Sequence, residues 1–164
     1  RFIRVGQGSY SHGVACNYLY RRYLKIGGGK YLGLLDHDIF PIRSFDVSEY
    51  LEKQFFYGIR HRFYIWPGLF FVRMREAVQK KLDFRPSLWL HGDTGACNAY
   101  SLFKGVDFTK YELVGEEKRM FTQEGDIFDN GYSYFSCGWV HCWNASNYMG
   151  KNINLNSAVF FLVR

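Results

Sequence analysis

Apolar residues along the first half of the chain follow helical and strand-like spacings in alternation. A helix is predicted over 13–26, where apolar positions recur near the 3.6-residue period and three glycines follow. The apolar run from Tyr31 to Leu35 lies between turn signals and predicts a buried strand. A second helix is predicted to begin at its N-cap Asp46, and strand segments at 63–66 and 69–73 flank a Pro-Gly turn.

This alternation predicts an α/β fold with a mixed, mostly parallel central sheet flanked by helices. A short strand at 2–5 and a small-residue loop at 6–13 are predicted ahead of the first helix. The 164 residues of the chain, 1–164, fit a single domain with a sizeable core. Ligands of open α/β sheets bind at the carboxyl ends of the strands, which is where Asp36 and Asp38 lie.

Composition narrows the kinds of partner. A net charge of +6 suits an anionic ligand such as a phosphate or a nucleotide. The basic residues are scattered, which is more typical of solvated surface than of a nucleic-acid-binding face, so we expect no nucleic-acid partner. Aromatic residues make up 20% of the chain; we expect most of them in the core, with Trp and Tyr near polar clusters as candidates for stacking on a sugar.

The sequence shows neither a clear targeting signal nor a strong zinc-binding pattern. No apolar run approaches the roughly 18–20 residues that a membrane span needs, and the first residues lack a signal-peptide pattern, which favours a cytoplasmic protein. The lack of terminal tails fits a piece of a longer protein, and the oligomeric state is not indicated. The four cysteines are expected to be reduced and mostly buried, with a zinc site at Cys137, His141 and Cys142 as an open alternative.

The strongest chemical pattern is Leu34-Leu35-Asp36-His37-Asp38. Two neighbouring carboxylates repel each other when both are ionised, and a divalent cation relieves that repulsion. Oxygen ligands suit Mg²⁺ or Mn²⁺, which bridge carboxylates and phosphates. The structural alternative is a turn, because Asp residues often end strands and cap helices. Strand-like alternation turns His37 away from the two aspartates.

These residues resemble motifs of the metal-dependent nucleotide-sugar glycosyltransferases with the GT-A type of fold. The run 31–41 resembles the apolar strand that ends in their Asp-x-Asp motif, and 11–17 resembles the helix before it. The run 66–72 resembles the segment whose glycine lies near the donor sugar, and 92–95 resembles the acidic loop near the reacting centre. Residues 139–144 resemble a strand end that supplies a metal-binding histidine.

The resemblance covers about residues 9–150 and implies a hexosyltransferase that moves a sugar from a nucleotide-diphosphate donor to a hydroxyl of a carbohydrate or another acceptor. It implies that Asp36, Asp38 and His141 bind the metal, Mn²⁺ or Mg²⁺, which neutralises charge on the departing diphosphate. The sequence departs from the family in one respect, because the N-terminal strand and helix that bind the base are missing or reduced. Part of the nucleotide-binding unit is therefore expected to be absent.

The remaining roles follow from the same resemblance. Trp66, Gly68 and Lys151 join the two aspartates as donor-binding residues. Asp93 is the catalytic residue: a base for the acceptor hydroxyl in an inverting reaction, or a stabiliser of the oxocarbenium-like transition state in a retaining one. Each role has a structural alternative: a core histidine at His141, a helix cap at Asp93, a core ring at Trp66 and surface charge at Lys151.

Other classes of function also fit the sequence. A non-catalytic carbohydrate-binding module would use the aromatic residues and need neither metal nor nucleotide. A nucleic-acid-binding domain would show strongly salt-dependent binding. A glycoside hydrolase also uses paired carboxylates, but Asp36 and Asp38 lie too close in sequence to flank a sugar. The donor sugar, its base and the acceptor are not indicated.

Overall fold

The computed structural model describes residues 2–120 and 132–142. Contacts divide the chain into two compact units. Unit 1 comprises residues 1–36 and 45–114, and unit 2 comprises residues 37–44 and 115–164.

The described residues form helices and strands whose order along the chain is α1 (Phe2–Lys25), β1 (Tyr31–Leu35), β2 (Ile39–Pro41), α2 (Ser48–Leu51), β3 (Phe56–His61), β4 (Tyr64–Arg73), α3 (Met74–Lys80), β5 (Glu117–Met120), β6 (Tyr132–Phe135) and β7 (Trp139–Cys142). Two short 3₁₀ helices, Ala96–Ala99 and Phe108–Lys110, lie between α3 and β5. The predicted strand at Tyr31–Leu35 is confirmed, but its predicted burial is wrong, because β1 is an edge strand in which only Leu32 is buried and Gly33 and Leu35 are exposed.

Both sheets are antiparallel in the described parts of the chain, so the prediction of a mostly parallel α/β sheet is wrong. Parallel neighbours need a crossover of a dozen or more residues, usually a helix. The helix expected from Asp46 has only four residues, Ser48–Leu51, and β3 follows it. A two-residue turn, Arg62-Phe63, then joins β3 to β4 as an antiparallel hairpin.

The sheet of unit 1 has the strand order β1-β4-β3, with β4 in the centre. One ladder pairs Tyr31 with Arg73 and runs to Leu35 opposite Leu69. The predicted break at Pro67-Gly68 is wrong, because β4 is one strand of ten residues that runs through both.

A bulge in β4 explains how its centre tolerates a proline. On β3, Gly58 and Arg60 are two residues apart. Their partners on β4, Phe70 and Ile65, are five residues apart. Between these two pairs β3 has only Ile59, whereas β4 has residues 66–69, which include the tripeptide Trp66-Pro67-Gly68. Proline has no N–H to donate to a ladder, so it is confined to edges and bulges of sheets. The bulge places this tripeptide at the sheet end where β1 finishes.

Apolar side chains cover both faces of this sheet. On one face, α1 contributes Cys16 and Tyr20 to a buried core shared with Leu32 and with the residues after α3. On the other face, Phe45 has ring centroids 5.4–5.6 Å from neighbouring aromatic rings. The members of this second cluster are Phe45, Tyr50, Tyr57 and Phe71.

Helix α1 is longer than its sequence pattern predicts. It includes residues 2–13, where a strand and a loop were expected, because interior glycines weaken a helix by only about 1 kcal/mol each.

Specific hydrogen bonds fix α1 against the segment after α3. The Asn17 side chain donates to Asp83 Oδ1 over 3.0 Å and accepts from the Phe84 N–H over 3.1 Å. A Cβ on Gly13 would overlap the Phe84 carbonyl oxygen.

Unit 2 contains a four-stranded sheet in the order β2-β7-β6-β5. Ile39 lies opposite His141 in the β2–β7 ladder. A three-residue turn joins β6 to β7, and its last residue, Gly138, has a φ of 93°, which favours glycine. The pairing therefore brings β2 beside a strand about one hundred residues later in the sequence.

No helix within residues 2–120 and 132–142 combines the length and the apolarity that crossing a membrane requires.

We expect Gly13→Ala to lower the free energy of unfolding by about 1–2 kcal/mol in urea denaturation, because the added methyl group overpacks the α1 contact with the Phe84 backbone. Helix propensity alone predicts the opposite sign, a gain of about 1 kcal/mol. Val14→Ala, at a half-exposed position of the same helix, is the control and should change stability by less than about 0.5 kcal/mol. A stabilised Gly13→Ala variant would contradict this docking of α1.

Candidate functional site

Asp36 ends β1 and extends its ladder by one more hydrogen bond. Its N–H donates to the Gly68 carbonyl oxygen over 2.8 Å. Strand alternation puts Asp36 on the same face as Leu32 and Leu34, which is the face that α1 covers. The two donor-site residues Asp36 and Gly68, separated by 31 residues in sequence, are thereby neighbours in unit 1.

A histidine that sequence analysis left without a role lies beside this carboxylate. His12 Nε2 is 3.5 Å from Asp36 Oδ1, and their side chains are 38% and 24% exposed. One helical turn further along α1, burial and the nearby Asp36 charge raise the pKa of the Cys16 thiol to about 11. The sequence did contain a signal for this position of His12. His12 lies four residues before Cys16, so both residues must lie on the same face of the helix.

The Trp66 ring lies against Gly68. A Cβ built on Gly68 would overlap the six-membered part of the indole, so only glycine leaves room for the ring in this position. Trp66 is half-buried and Gly68 is buried. The structure therefore brings together Asp36, Gly68 and Trp66, three of the residues expected at the donor.

The loop Gly92-Asp93-Thr94-Gly95 contacts the same part of β4. The Asp93 N–H donates to Tyr64 Oη over 3.1 Å, and the Asp93 side chain, in an exposed residue, accepts from the Thr94 N–H over 2.7 Å. Gly95 has a φ of 85°, and a Cβ there would lie 2.9 Å from the Pro67 ring. The following 3₁₀ helix has Gly95 at its N-cap position with no side-chain cap, so the alternative role of Asp93 as its N-cap is wrong.

Tyr64 supports this loop, and sequence analysis did not single it out. Its side chain is buried, and its hydroxyl accepts from the Asp93 N–H, which leaves the phenolic proton for His61 Nδ1 at 2.8 Å. Burial and the Asp93 charge raise the pKa of Tyr64 to about 12. A neutral tyrosine therefore anchors the backbone that carries Asp93.

Unit 2 holds the other predicted pair. The β2–β7 ladder continues with a hydrogen bond of 2.9 Å from the Cys142 N–H to the Asp38 carbonyl oxygen. This register places His141 Nε2 3.7 Å from Asp38 Oδ1. The Asp38 side chain is only 9% exposed, and none of the described residues donates a hydrogen bond to its Oδ1.

A buried carboxylate oxygen without a donor suits a cation. Leaving such an acceptor unsatisfied costs about 1–3 kcal/mol, more when it is charged. Mg²⁺ is commonly held by one or two protein carboxylates together with substrate phosphates and waters, so Asp38 fits as one ligand of such a site. The imidazole of His141 is a candidate second ligand, because histidine is a common metal ligand in proteins. Within 2–120 and 132–142, no group of three or more His, Cys, Asp or Glu side chains is placed to hold a metal ion. Substrate oxygens and water would have to complete the coordination.

The zinc alternative gains no support from this geometry. All four cysteines are free thiols. Burial and the nearby Asp38 charge raise the pKa of the Cys142 thiol, which opposes the thiolate that zinc requires.

His37, expected to point away from the aspartates, is exposed. Lys151 lies outside the residues that the structure describes.

No family model, curated protein sequence or solved structure matches the chain.

We expect the stability of the protein to fall between about pH 10 and pH 12 through Tyr64. Its pKa is raised on folding, so the contribution of neutral Tyr64 is complete below the unfolded pKa of about 10 and disappears as the pH rises through about 12. The loss is on the order of 2–3 kcal/mol. Tyr64→Phe should flatten this part of the pH dependence of the free energy of unfolding, measured by urea denaturation.

The same substitution should lower stability near pH 7 by about 1 kcal/mol, because the Asp93 N–H loses its acceptor. Tyr100→Phe, at an exposed ring, is the matched control and should leave both quantities unchanged. If Tyr64→Phe retained the full alkaline loss, the assignment to Tyr64 would be wrong.

Proposed function

We propose that the chain is a metal-dependent glycosyltransferase that transfers a sugar from a nucleotide-diphosphate donor to an acceptor hydroxyl. Two kinds of observation support the proposal: the order of the motifs along the sequence and the proximity of residues that those motifs single out. The observation that carries it is the Asp38–His141 pair. These residues are far apart in sequence, and their side-chain atoms are 3.7 Å apart.

The pair supports a metal-dependent function because of its burial and its chemistry. The Asp38 carboxylate is almost fully buried and its Oδ1 has no donor among the described residues. The carboxylate oxygens of Asp38 suit Mn²⁺ or Mg²⁺, and His141, whose imidazole is more usual on Zn²⁺ or Fe²⁺, would be the one nitrogen ligand. A divalent cation bound by this pair would neutralise the charge that develops on a departing diphosphate. The expectation that Asp36 shares this cation stays a prediction from the sequence.

Asp93 is the proposed catalytic residue. Its backbone is tied to Tyr64 and its carboxylate accepts from the Thr94 N–H, so the side chain is exposed but oriented. In an inverting transfer, this carboxylate takes the proton of the acceptor hydroxyl while the hydroxyl oxygen bonds to the anomeric carbon and the bond to the nucleoside diphosphate breaks. In unit 1, Trp66 over Gly68 offers a flat ring for the donor sugar.

A thermal-shift screen of nucleotide sugars, with and without Mn²⁺, tests donor binding. We expect at least one nucleotide sugar to raise Tm only when Mn²⁺ is present, because a ligand that binds the folded state stabilises it by mass action. Asp38→Asn should remove the Mn²⁺-dependent shift and leave the metal-free protein folded. A ligand at one hundred times its Kd contributes about 2.7 kcal/mol, which is readily measured.

Asp46→Asn is the control for this screen, because Asp46 is an exposed carboxylate that accepts from Ser48 and has no proposed role. It should retain the Mn²⁺-dependent shift. If Asp38→Asn also retained the shift, the metal assignment would be wrong. Sugar binding that needs neither Mn²⁺ nor nucleotide would favour a carbohydrate-binding module instead.

Asp93→Asn should lower kcat for transfer by about 10²- to 10⁴-fold, the usual contribution of a positioned base. The Kd for the nucleotide sugar, measured by calorimetry, should stay within about twofold. Asp107→Asn is matched in chemistry, because Asp107 is also an exposed carboxylate that accepts from a backbone N–H, that of Thr109. An Asp107→Asn variant as slow as Asp93→Asn, or an unchanged kcat in Asp93→Asn, would exclude the assigned role.

A further inference from the structure

The segment Ser87–Gly92 forms a closed loop immediately before Asp93. The Ser87 N–H donates to the Gly92 carbonyl oxygen over 3.2 Å, and the Gly92 N–H donates back to Ser87 over 3.0 Å. Ser87 is 6% exposed, and a Cβ on Gly92 would lie 2.5 Å from the Ala96 side chain. The base of the loop is therefore fixed in the body of unit 1.

The tip of the loop is also ordered by its own backbone. The His91 N–H donates to the Leu88 carbonyl oxygen over 3.1 Å, which closes a turn with Trp89 and Leu90 at its centre. His91 has a φ of 45°, a left-handed conformation that is uncommon for a residue with a side chain. Strained residues of this kind concentrate at ligand-binding and active sites.

This ordered turn holds two large apolar side chains in water. Trp89 is 91% exposed and Leu88 is 83% exposed. Single exposed apolar residues are ordinary on protein surfaces, but here a closed turn fixes the backbone that carries the indole. Only the side-chain torsions of Trp89 remain to be ordered when a flat ligand stacks on the ring.

We propose that Trp89 is the platform on which a sugar ring of the acceptor stacks. The inference rests on the proposed transfer function and names the acceptor of that same site as a saccharide. Trp89 precedes Asp93 by four positions, so the two Cα atoms lie within about 14 Å of each other. A saccharide with one ring on Trp89 can therefore extend toward the Asp93 carboxylate.

Charge separates a saccharide from other partners of an exposed tryptophan. The loop Ser87–Gly92 contains no Lys or Arg, and His91 is its one ionisable residue. The arginine nearest in sequence, Arg85, forms an ion pair with Asp83, with an Nη2–Oδ2 distance of 2.6 Å. Nucleic acids and anionic membranes are bound largely through cations, which this loop does not offer. A sugar ring, which is uncharged and has an apolar face, suits this loop better.

Direct binding tests the platform independently of catalysis. In ¹⁹F NMR of the protein labelled with 5-fluorotryptophan, the Trp89 resonance is assigned by its loss in Trp89→Phe. The probes are methyl α- and β-glycosides of glucose, galactose, mannose and N-acetylglucosamine. At least one glycoside should shift the Trp89 resonance, and saturation-transfer NMR should show binding of that glycoside by Trp89→Phe but not by Trp89→Leu.

Transfer kinetics give the second readout, with the same glycosides as acceptors. Trp89→Leu should raise KM for the acceptor about tenfold and leave KM for the donor unchanged, because leucine is apolar but offers no flat face. Trp89→Phe should recover most of the loss. Leu88→Ala, which removes the neighbouring exposed side chain, is the matched control and should leave both KM values within about twofold.

The outcomes separate this inference from the proposed function. A sugar-dependent shift of Trp89 without any transfer leaves the platform standing and removes the transferase. Transfer that depends on Asp93, with a Trp89 resonance that no glycoside moves, overturns the platform alone. A Trp89 resonance that responds to phosphatidylcholine–phosphatidylglycerol vesicles but to no glycoside also overturns it, in favour of a membrane contact.

Discussion

The β1–β4 ladder and its last hydrogen bond, from Asp36 to Gly68, determine the geometry of unit 1. The bond ends β1 beside the bulge in β4, so the acidic residue and the glycine expected at a donor meet there. The bulge holds Pro67 where no ladder hydrogen bond is needed. Because residue 68 is a glycine, it has no Cβ to collide with the Trp66 ring. A shift of one residue in this register would turn Asp36 to the opposite face of the sheet.

Each aspartate of the motif lies beside a histidine from a distant part of the sequence, and the two environments differ. In unit 1, Asp36 is near His12 and partly open to water. In unit 2, Asp38 is nearly closed off beside His141, where an isolated negative charge is costly. Burial of this kind gives Asp38 the stronger physical need for a cation, whereas Asp36 can be satisfied by His12 and solvent.

Local sequence patterns were reliable where one short segment decides its own structure. The strand at 31–35 is an apolar segment between clear turn signals, and it is confirmed. The helix expected from Asp46 did not continue past Leu51, because the aromatic residues that follow pair in β3 instead. A helical spacing of apolar residues cannot reveal a competing strand partner that lies elsewhere in the chain.

The sequence by itself determined the acidic pair at the end of β1, the glycine and tryptophan of the β4 segment, and the acidic loop at 92–95, because local spacing and residue chemistry suffice for these features. Only the tertiary structure decided that the sheets are antiparallel, that His12 and His141 lie beside different aspartates, and that Tyr64 supports Asp93. Strand pairing and helix docking depend on contacts between distant residues, and no local pattern records which residues those contacts join.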